Sequence, residues 1–368
     1  MRSTLFEPIT LRGLTVRNRL WIPPMCQYSA FGENGVPTDW HLVHYGSLAA
    51  GGAGAVIVEA SAVAPEGRIS PRDLGLWNDE QRDALVRIVD FAHQQGAAIG
   101  VQLAHAGRKA STEAAWGSEN PGRSIAPQDG GWQTAGPSAV AFPGLDEPEE
   151  LDERGIDDVV AAFAASARRA VEANMDFVEL HGAHGAHGYL LHEFLSPLSN
   201  ERTDEYGGTL ENRARLLLRI TDAVRDVIPE DMPLLVRLSA TDWTEGGLTV
   251  ADTSRVSGWL VEHGADLIDV SSAANVPAEI PVGPGYQVPL ATEIKTTAGV
   301  PVAAVGMIDT AWQAEQIIAT GLADVVLMGR EALRDPHVAL TAARDLGVQE
   351  FPVPRQYERA YRRPPRTR

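Results

Sequence analysis

Residues 301–330 read PVAAVGMIDTAWQAEQIIATGLADVVLMGR. Two short apolar runs, at 301–305 and 323–328, flank a segment with helical spacing at 310–320. Neither run alternates apolar with polar residues, a pattern that is typical of strands buried on both faces of a parallel sheet. The stretch therefore predicts a strand, a helix and a second strand that runs parallel to the first.

The same unit recurs along the 368 residues of the chain. Six further apolar runs lie at 19–25, 54–60, 97–103, 176–181, 233–238 and 265–270. The remaining helical patterns lie near 38–52, 79–95, 153–173, 208–228, 250–263, 286–298 and 331–345. Asn78, Thr249 and Asp309 are predicted helix caps, and Gly264 and Gly321 are predicted to follow helix ends.

Eight strand–helix units favour a single closed (β/α)8 barrel of the α/β class over an open doubly wound sheet. An open sheet of that kind would carry a GxGxxG fingerprint after an early strand, and the glycines at 51–54 lack that spacing. The barrel is predicted to span residues 1–349, with a rim or lid insertion at about 104–152 after the third strand. Residues 350–368 form an arginine-rich tail, which is predicted to lie at a subunit interface.

Charge and composition exclude several classes of partner. The 31 basic and 49 acidic residues give a net charge of −18, which disfavours binding to nucleic acid or to an anionic membrane surface. Cys26, the one cysteine, cannot form an internal disulfide and fits a reducing compartment. No apolar run is long enough to suggest a membrane span, so a cytoplasmic protein is expected.

Barrel enzymes carry their chemistry at the carboxyl ends of the strands. The residues at those positions are Met25, Cys26, Ala60, Gln102, His181, Arg237, Ser271, Gly306, Gly329 and Arg330. The glycines after the seventh and eighth strands, with Arg330 beside the second, favour a phosphate site, although they could simply permit tight turns. Arg237 requires an anionic or strongly polar partner, which is either a ligand or a neighbouring carboxylate. Gln102 suits the edge of a heterocycle but equally a buried amide.

The sequence HGAHGAHGYLLHEF at 181–194 places histidines 181, 184 and 187 three residues apart. They could bind a metal, donate hydrogen bonds to a carbonyl oxygen with Tyr189 as proton donor, or simply occupy a solvated glycine loop. Metal-dependent barrel hydrolases usually place histidines on strand one and acids on strand eight. Here strand one ends in Pro-Pro-Met-Cys and strand eight in Gly-Arg, so no metal site is predicted.

Long motifs give the chain a specific resemblance. They are PMCQYS at 24–29, VEASAV at 58–63, VQLAHAGRK at 101–109, HGAHGYLLHEFLSPLSNERTDEYGG at 184–208, VRLSATDW at 236–243 and GREALRDP at 329–336. Over nearly its whole length the chain resembles the old yellow enzyme family of FMN-dependent ene-reductases, in its thermophilic-like branch. The resemblance implies FMN across the barrel mouth and NADPH, or less favourably NADH, as hydride donor.

The resemblance also implies roles for individual residues. Those expected to line the flavin ring are Pro23, Pro24, Met25, Cys26 and Ala60. Gln102 would contact the pyrimidine edge of the ring, and the positive charge of Arg237 would lie at its N1–C2=O end. Gly306, Gly329 and Arg330 would bind the phosphate. Tyr28 would border the substrate together with Arg359 from a neighbouring subunit, which implies a homodimer or homotetramer.

Two features depart from the family pattern. Position 23 is proline where relatives often carry serine or another small residue, which removes one backbone donor. The histidine loop repeats a three-residue unit, so the donor pair is either His181 with His184 or His184 with His187. We predict His184 and His187, because their spacing to Tyr189 matches the family motif, and keep His181 as the alternative.

The implied reaction is reduction of the activated C=C bond of an α,β-unsaturated carbonyl compound, by hydride from flavin N5 and a proton from Tyr189. Alternatives within the fold are a nitro or quinone reductase, a demethylase-like flavoenzyme, and a flavin-binding protein with little turnover. The alternative from a different class is a metal-dependent barrel hydrolase.

Overall fold

Eight parallel strands form the centre of the protein in a computed structural model, which describes residues 3–183, 189–273 and 275–361. In chain order they are β1 (Leu20–Trp21), β2 (Ala55–Ala62), β3 (Ala98–Ala104), β4 (Phe177–Gly182), β5 (Leu234–Ser239), β6 (Leu267–Ser271), β7 (Val302–Val305) and β8 (Val325–Leu327). Each strand from β2 to β8 pairs in parallel with its neighbours, and β8 pairs with β1. These are the eight strands that the sequence predicts.

The sheet closes on itself through the residue that follows β1. The backbone N–H of Ile22 donates to the carbonyl of Ala55 at 2.9 Å, and Ile57 N–H donates to the carbonyl of Ile22 at 3.0 Å. The predicted (β/α)8 barrel is thereby confirmed. β1 is shorter than the predicted run 19–25, because Pro23 and Pro24 have no N–H to give to a ladder.

Helices lie between the strands. Those of the described residues are α1 (Asp39–Ala50), α2 (Asp79–Gln94), α3 (Glu153–Glu172), α4 (Leu190–Leu195), α5 (Leu210–Arg225), α6 (Val250–Glu262), α7 (Val288–Ala298), α8 (Ala311–Ala319), α9 (Arg330–Arg334), α10 (Val338–Asp345) and α11 (Glu358–Tyr361). None of them has the length and hydrophobicity needed to cross a bilayer. The predicted caps Asn78 and Thr249 are confirmed, since each side chain accepts a hydrogen bond from the third residue of its helix.

Two helix predictions are wrong in detail. The segment 331–345 is two helices, α9 and α10, separated at Pro336, whose ring and missing N–H interrupt a helix. The cap of α8 is Thr310 and not Asp309, because the Thr310 hydroxyl accepts the N–H of Gln313 at 3.2 Å. The short helix α4 was not predicted from the sequence.

Side chains alternate between the inside of the barrel and the surrounding helices. Val178 and Leu180 of β4 pack in the large outer core, whereas Phe177 packs inside the barrel with residues of other strands. An antiparallel hairpin, Ile9–Leu11 with Leu14–Val16, packs against this inner cluster. The residues of a strand that point into the barrel therefore lie two positions apart. This spacing determines which side chains of each strand lie inside the barrel.

Two buried basic side chains, Arg108 and Lys109, anchor the segment after β3. Arg108 donates to the carbonyls of Val140, at 2.9 Å, and Asn275, at 2.7 Å. Nζ of Lys109 lies 3.7 Å from the centre of the Phe142 ring, and burial lowers the pKa of this amine to about 6. The contacts with Val140 and Phe142 lie within the predicted rim insertion, and the contact with Asn275 holds that insertion against the loop that follows β6.

Candidate active site

A cavity of about 200 Å³ opens at the carboxyl ends of β1, β5, β7 and β8. The residues around it that the sequence assigns to the cofactor are Pro23, Pro24, Met25, Arg237, Gly306, Gly329 and Arg330. It is also lined by Val305, Met307, Ile308, Asp309 and Leu327, which were not predicted. Parallel strands bring their carboxyl ends to one edge, so residues separated by more than 300 positions in sequence meet here.

Glycine is needed at the turn after β7. Gly306 has a φ of +115°, and a Cβ at this position would lie 2.7 Å from Nε2 of Gln287. Met307 follows with a φ of +50°, a conformation that costs a residue with a side chain free energy. At the end of β8, a Cβ on Gly329 would lie 3.3 Å from Cγ of Pro23 and would narrow the cavity.

The Arg330 end of the cavity differs from the sequence expectation in one respect. α9 begins at Arg330 and has only five residues, so its dipole contributes little. Anion binding here would depend on the guanidinium of Arg330 and on backbone N–H groups of the two glycine turns. Pro24 and Met25 offer an apolar surface for a ring, and Arg237 offers a partner for its polar edge. Together with Arg330 and the glycine turns, these residues fit FMN.

The side chains beneath the cavity form two linked pairs. Arg237 Nη1 donates to Asp269 Oδ2 at 2.6 Å, and Gln102 Nε2 donates to Glu179 Oε1 at 2.8 Å. Arg237 therefore has a carboxylate partner and also lines the cavity. The two partners that the sequence left open, a neighbouring carboxylate and a ligand, are compatible with each other. Glu179 and Asp269 were not predicted, although an acid inside each of the apolar runs DFVELH and ADLIDV was a visible signal.

Burial dominates the acidity of these carboxyls. The pKa of Glu179 rises to about 8 because the group is desolvated and lies near the charge of Asp269; Arg237 and the hydrogen bond from Gln102 oppose the rise. The pKa of Asp269 is also raised by burial, against the effect of Arg237. The barrel floor thus holds two carboxyls beside the guanidinium of Arg237.

The ends of β1 and β2 bring Cys26 and Ala60 to the same edge. The β2–β3 register shifts between Val58 and Ser61, so Ala60 lies in an irregularity of the kind common beside active sites. Burial, with further effects from Asp73 and Glu59, raises the pKa of the Cys26 thiol well above its usual value. The thiol is consequently protonated at neutral pH, where it acts as a small polarizable group and not as a thiolate.

An aromatic wall borders this region. Tyr189 is 4 % exposed and packs with Ile69, Ala106 and Ala110, against which Cys26, Tyr28 and Trp132 also pack. Tyr28 has a φ of +49°, a backbone conformation that the surrounding structure must stabilise. Burial raises the pKa of the Tyr189 phenol well above 10, so the phenol keeps its proton across the working range of pH.

Of the three repeated histidines, the described part of the chain includes His181. Its ring meets Tyr189 edge to face at 4.8 Å, and burial, together with Arg237 and His192, lowers its pKa so that it is neutral. His184 and His187, the predicted donor pair, lie outside the described residues. No group of His, Cys, Asp and Glu side chains that could hold a metal occurs within the described ranges.

The helix that follows Tyr189 is anchored by a buried pair. His192 Nε2 lies 2.7 Å from Asp242 Oδ1, and Ser196 donates to Asp242 Oδ2 at 2.6 Å. Burial would raise the pKa of Asp242, but the attraction and hydrogen bonds of His192 and Ser196 outweigh it and lower the pKa. This network holds α4 and with it the position of Tyr189, the residue that caps the helix.

Arg359 lies on α11 and is exposed. Within one chain it is not among the residues that line the cavity. The segment that carries it contacts the barrel through Tyr357, whose ring is 5.4 Å from that of His337.

Comparison with known families decides the assignment. Residues 4–349 match the model of the NADH:flavin oxidoreductase / NADH oxidase family. The chain belongs to this family. An FMN-dependent oxidoreductase that uses a nicotinamide nucleotide is thereby established, as is membership of the old yellow enzyme family suggested by the motifs.

Relatives of similar length support the same assignment. The chain is 48% identical over 364 residues to an NADPH dehydrogenase of Geobacillus thermodenitrificans, covering 98% of this chain and 100% of the relative. It is 46% identical over 365 residues to an NADPH dehydrogenase of Bacillus subtilis, with the same coverage. The alternative of a metal-dependent hydrolase is left without support.

Solved structures agree on the fold. Morphinone reductase superposes with a TM-score of 0.77 at 26% identity, covering 95% of this chain and 91% of that protein. The old yellow enzyme homologue of Zymomonas mobilis gives a TM-score of 0.76 at 26% identity, with 96% and 95% covered.

Proposed function

We propose that this enzyme reduces the activated C=C bond of α,β-unsaturated ketones, aldehydes and imides, with NADPH as the preferred electron source. FMN, held by Arg330 and the turns at Gly306 and Gly329, would supply hydride transfer between the nicotinamide and Cβ of the alkene. The observation that carries the proposal is that Met25, which lines the cavity of Arg237 and Arg330, is followed in the chain by Cys26 and Tyr28, which pack with Tyr189.

The cofactor is proposed to lie in this cavity, with its phosphate on Arg330 and the turns at Gly306 and Gly329. Gln102 and Arg237 then meet its pyrimidine edge. The ring is bordered by the remaining residues of the predicted set, Pro23, Pro24, Met25, Cys26 and Ala60. Support comes from the two cations and the apolar residues that line one cavity, a combination that fits a phosphate and a heterocycle in the same ligand.

The substrate carbonyl is proposed to accept hydrogen bonds from His184 and His187. Tyr189 donates the proton that Cα receives, and its raised phenol pKa means that the proton is present whenever substrate arrives. Hydrogen bonds from the histidines strengthen as negative charge develops on the carbonyl oxygen, which is the source of rate acceleration. Tyr28, which belongs to the same wall as Tyr189, is proposed to exclude water from the substrate site.

Turnover of cyclohexenone tests the proposal. Anaerobic NADPH oxidation should depend on the enone, and Tyr189→Phe should lower it by about 10²- to 10⁴-fold while leaving FMN affinity unchanged. Tyr206→Phe is the matched control, because Tyr206 is equally buried at 4 % exposure but packs in the outer core. Equal activity of the wild type and Tyr189→Phe would reject the assigned proton donor.

A panel of nitro compounds and quinones separates the alternative reactions. Both classes can accept electrons without a proton from a positioned phenol, so Tyr189→Phe should leave their reduction intact. If the wild type turns over these acceptors but no enone, the enzyme is a nitro or quinone reductase.

We further propose that Arg359 completes the substrate site of a neighbouring subunit in a homodimer or homotetramer. Support comes from its exposure in the single chain and from the position of Tyr357, which lines a groove between α1 and α2. Arg359→Ala should raise KM for the enone with FMN affinity unchanged, and light scattering should give a mass of two or four chains. A monomeric mass with full activity contradicts this arrangement.

A further inference from the structure

The barrel floor beneath the cavity contains a carboxyl whose charge the proposed reaction does not use. Gln102 of β3 is the register partner of Glu179 on β4, and Arg237 of β5 is the register partner of Asp269 on β6. Glu179 and Asp269 are both 0 % exposed. The two pairs lie on neighbouring strands and share the inward face of the sheet.

The hydrogen bonds at the two carboxyls are incomplete. Glu179 Oε1 accepts from Gln102, but Glu179 Oε2 has no hydrogen-bond partner among the described residues. Asp269 Oδ2 accepts from Arg237, and Asp269 Oδ1 likewise has no hydrogen-bond partner among those residues. A buried ionised carboxylate with a free oxygen costs much more than the neutral acid with the same oxygen free.

The charges around Glu179 indicate which carboxyl holds the proton. Gln102 faces it from β3, Arg237 from β5 and Asp269 from β6, and His181, two residues along β4, is neutral. Arg237 is committed to Asp269 at 2.6 Å, so Asp269 is the ionised member. Glu179 is then left with a neutral amide as its hydrogen-bond partner. The raised pKa of Glu179, about 8, agrees with this division.

We propose that Glu179 carries a proton at neutral pH and acts as a positioning residue for the cofactor, fixing the Gln102 amide and keeping the floor of the cavity electrically neutral. This inference rests on the position of FMN proposed above. Because Glu179 accepts one N–H of Gln102, the amide oxygen and the second N–H remain available to the pyrimidine edge. Ionisation of Glu179 would add a negative charge beside Arg237 and weaken its attraction for electron density on that edge.

Infrared spectroscopy of the apoprotein tests the protonation directly. The difference spectrum between pH 6 and pH 9.5 should contain the carbonyl stretch of a buried carboxylic acid that disappears in Glu179→Gln. Glu193→Gln is the matched control, since Glu193 is also 0 % exposed with its pKa raised to about 8, but it contacts the backbone of Arg108 and not the floor. A difference spectrum unchanged by Glu179→Gln overturns the inference.

The midpoint potential of bound FMN tests the link to the cofactor. Between pH 7 and 9 the midpoint potential of the wild type should fall with pH by an additional amount that Glu179→Gln lacks. This amount is at most a tenfold change in the reduction equilibrium constant per pH unit, about 30 mV for a two-electron couple. Glu193→Gln should behave as the wild type. Asp269→Asn, which removes the neighbouring charge, should move the inflection to lower pH, so the test does not depend on one variant.

Identical potential profiles of Glu179→Gln and the wild type overturn the inference. If Arg330→Ala nevertheless weakens FMN binding in that case, the proposed function stands without it. If FMN affinity is indifferent to Arg330, the proposed cofactor position and this inference fail together.

Discussion

Arg237 donates to Asp269 across directly paired strands at 2.6 Å while its side chain remains 11% exposed to the cavity. The charge of the guanidinium is therefore neutralised by Asp269, and its exposed part remains available to a ligand in the cavity. This arrangement lets a cation persist in the floor of a barrel before any ligand arrives, because an unpaired buried charge would be strongly destabilising.

Removal of Arg237 should leave the buried charge of Asp269 without a compensating cation. We expect Arg237→Met to lower the free energy of unfolding by roughly 3–5 kcal/mol, as for other buried pairs that lose one partner. The double variant Arg237→Met/Asp269→Leu should recover more than half of that loss. Urea denaturation of the apoproteins measures both; an equally unstable double variant would contradict the role of the pair.

Arg330 should discriminate FMN from riboflavin. A charge-assisted hydrogen bond is worth about 1.5–3 kcal/mol, so Arg330→Ala should weaken FMN binding by roughly 10- to 150-fold. Riboflavin lacks the phosphate, and its affinity should not change. Fluorescence titration of the apoprotein with each flavin provides the measurement, and a parallel loss for both flavins would place the phosphate elsewhere.

The repeated histidine loop yields a prediction that separates two registers. Alanine at His184 or His187 should reduce enone turnover by about 10²- to 10³-fold, as for the loss of one oxyanion donor. Alanine at His181 should have a smaller effect, since its ring packs against Tyr189. Single-turnover kinetics with cyclohexenone decide the matter: a large loss at His181 and none at His187 would assign the pair to His181 and His184.

The stability of the fold should depend on pH through Glu179. Its pKa is raised from 4.5 to about 8 on folding, so the folded chain binds the extra proton between these values. The contribution of Glu179 to stability therefore falls as pH rises from about 4.5 to 8. The amide introduced by Glu179→Gln cannot titrate. The unfolding free energy of the variant minus that of the wild type should therefore rise between pH 4.5 and 8, by a few kcal/mol, on the order set by the pKa shift. A difference that is independent of pH from 5 to 9 would contradict the assignment.

The sequence was sufficient to predict the barrel because its strands are buried on both faces. Strands of this kind consist of buried apolar residues such as Val302 and Val326, and they appear in the sequence as uninterrupted apolar runs. Helix ends were predictable where a side chain caps directly, as at Asn78. They were missed at Thr310, because Asp309 beside it has the same propensity, and at Pro336, where the break lies inside a continuous helical pattern.

The strand-end rule predicted that Arg237, Gly306 and Arg330 lie at one edge of the barrel, and they line one cavity there because parallel strands bring their carboxyl ends together. It could not locate Glu179 or Asp269. Their importance depends on which strands are neighbours in the closed barrel, and register is a tertiary property. The partners of Gln102 and Arg237 became known only from the pairing of β3 with β4 and of β5 with β6.

The absorption spectrum of the purified protein, followed under anaerobic conditions, tests directly whether the bound flavin passes electrons to an activated alkene. We expect a yellow protein whose flavin absorbance is bleached by NADPH and restored by cyclohexenone. A folded preparation that takes up FMN and is bleached by NADPH, but whose absorbance no enone, enal or maleimide restores, would contradict alkene reduction.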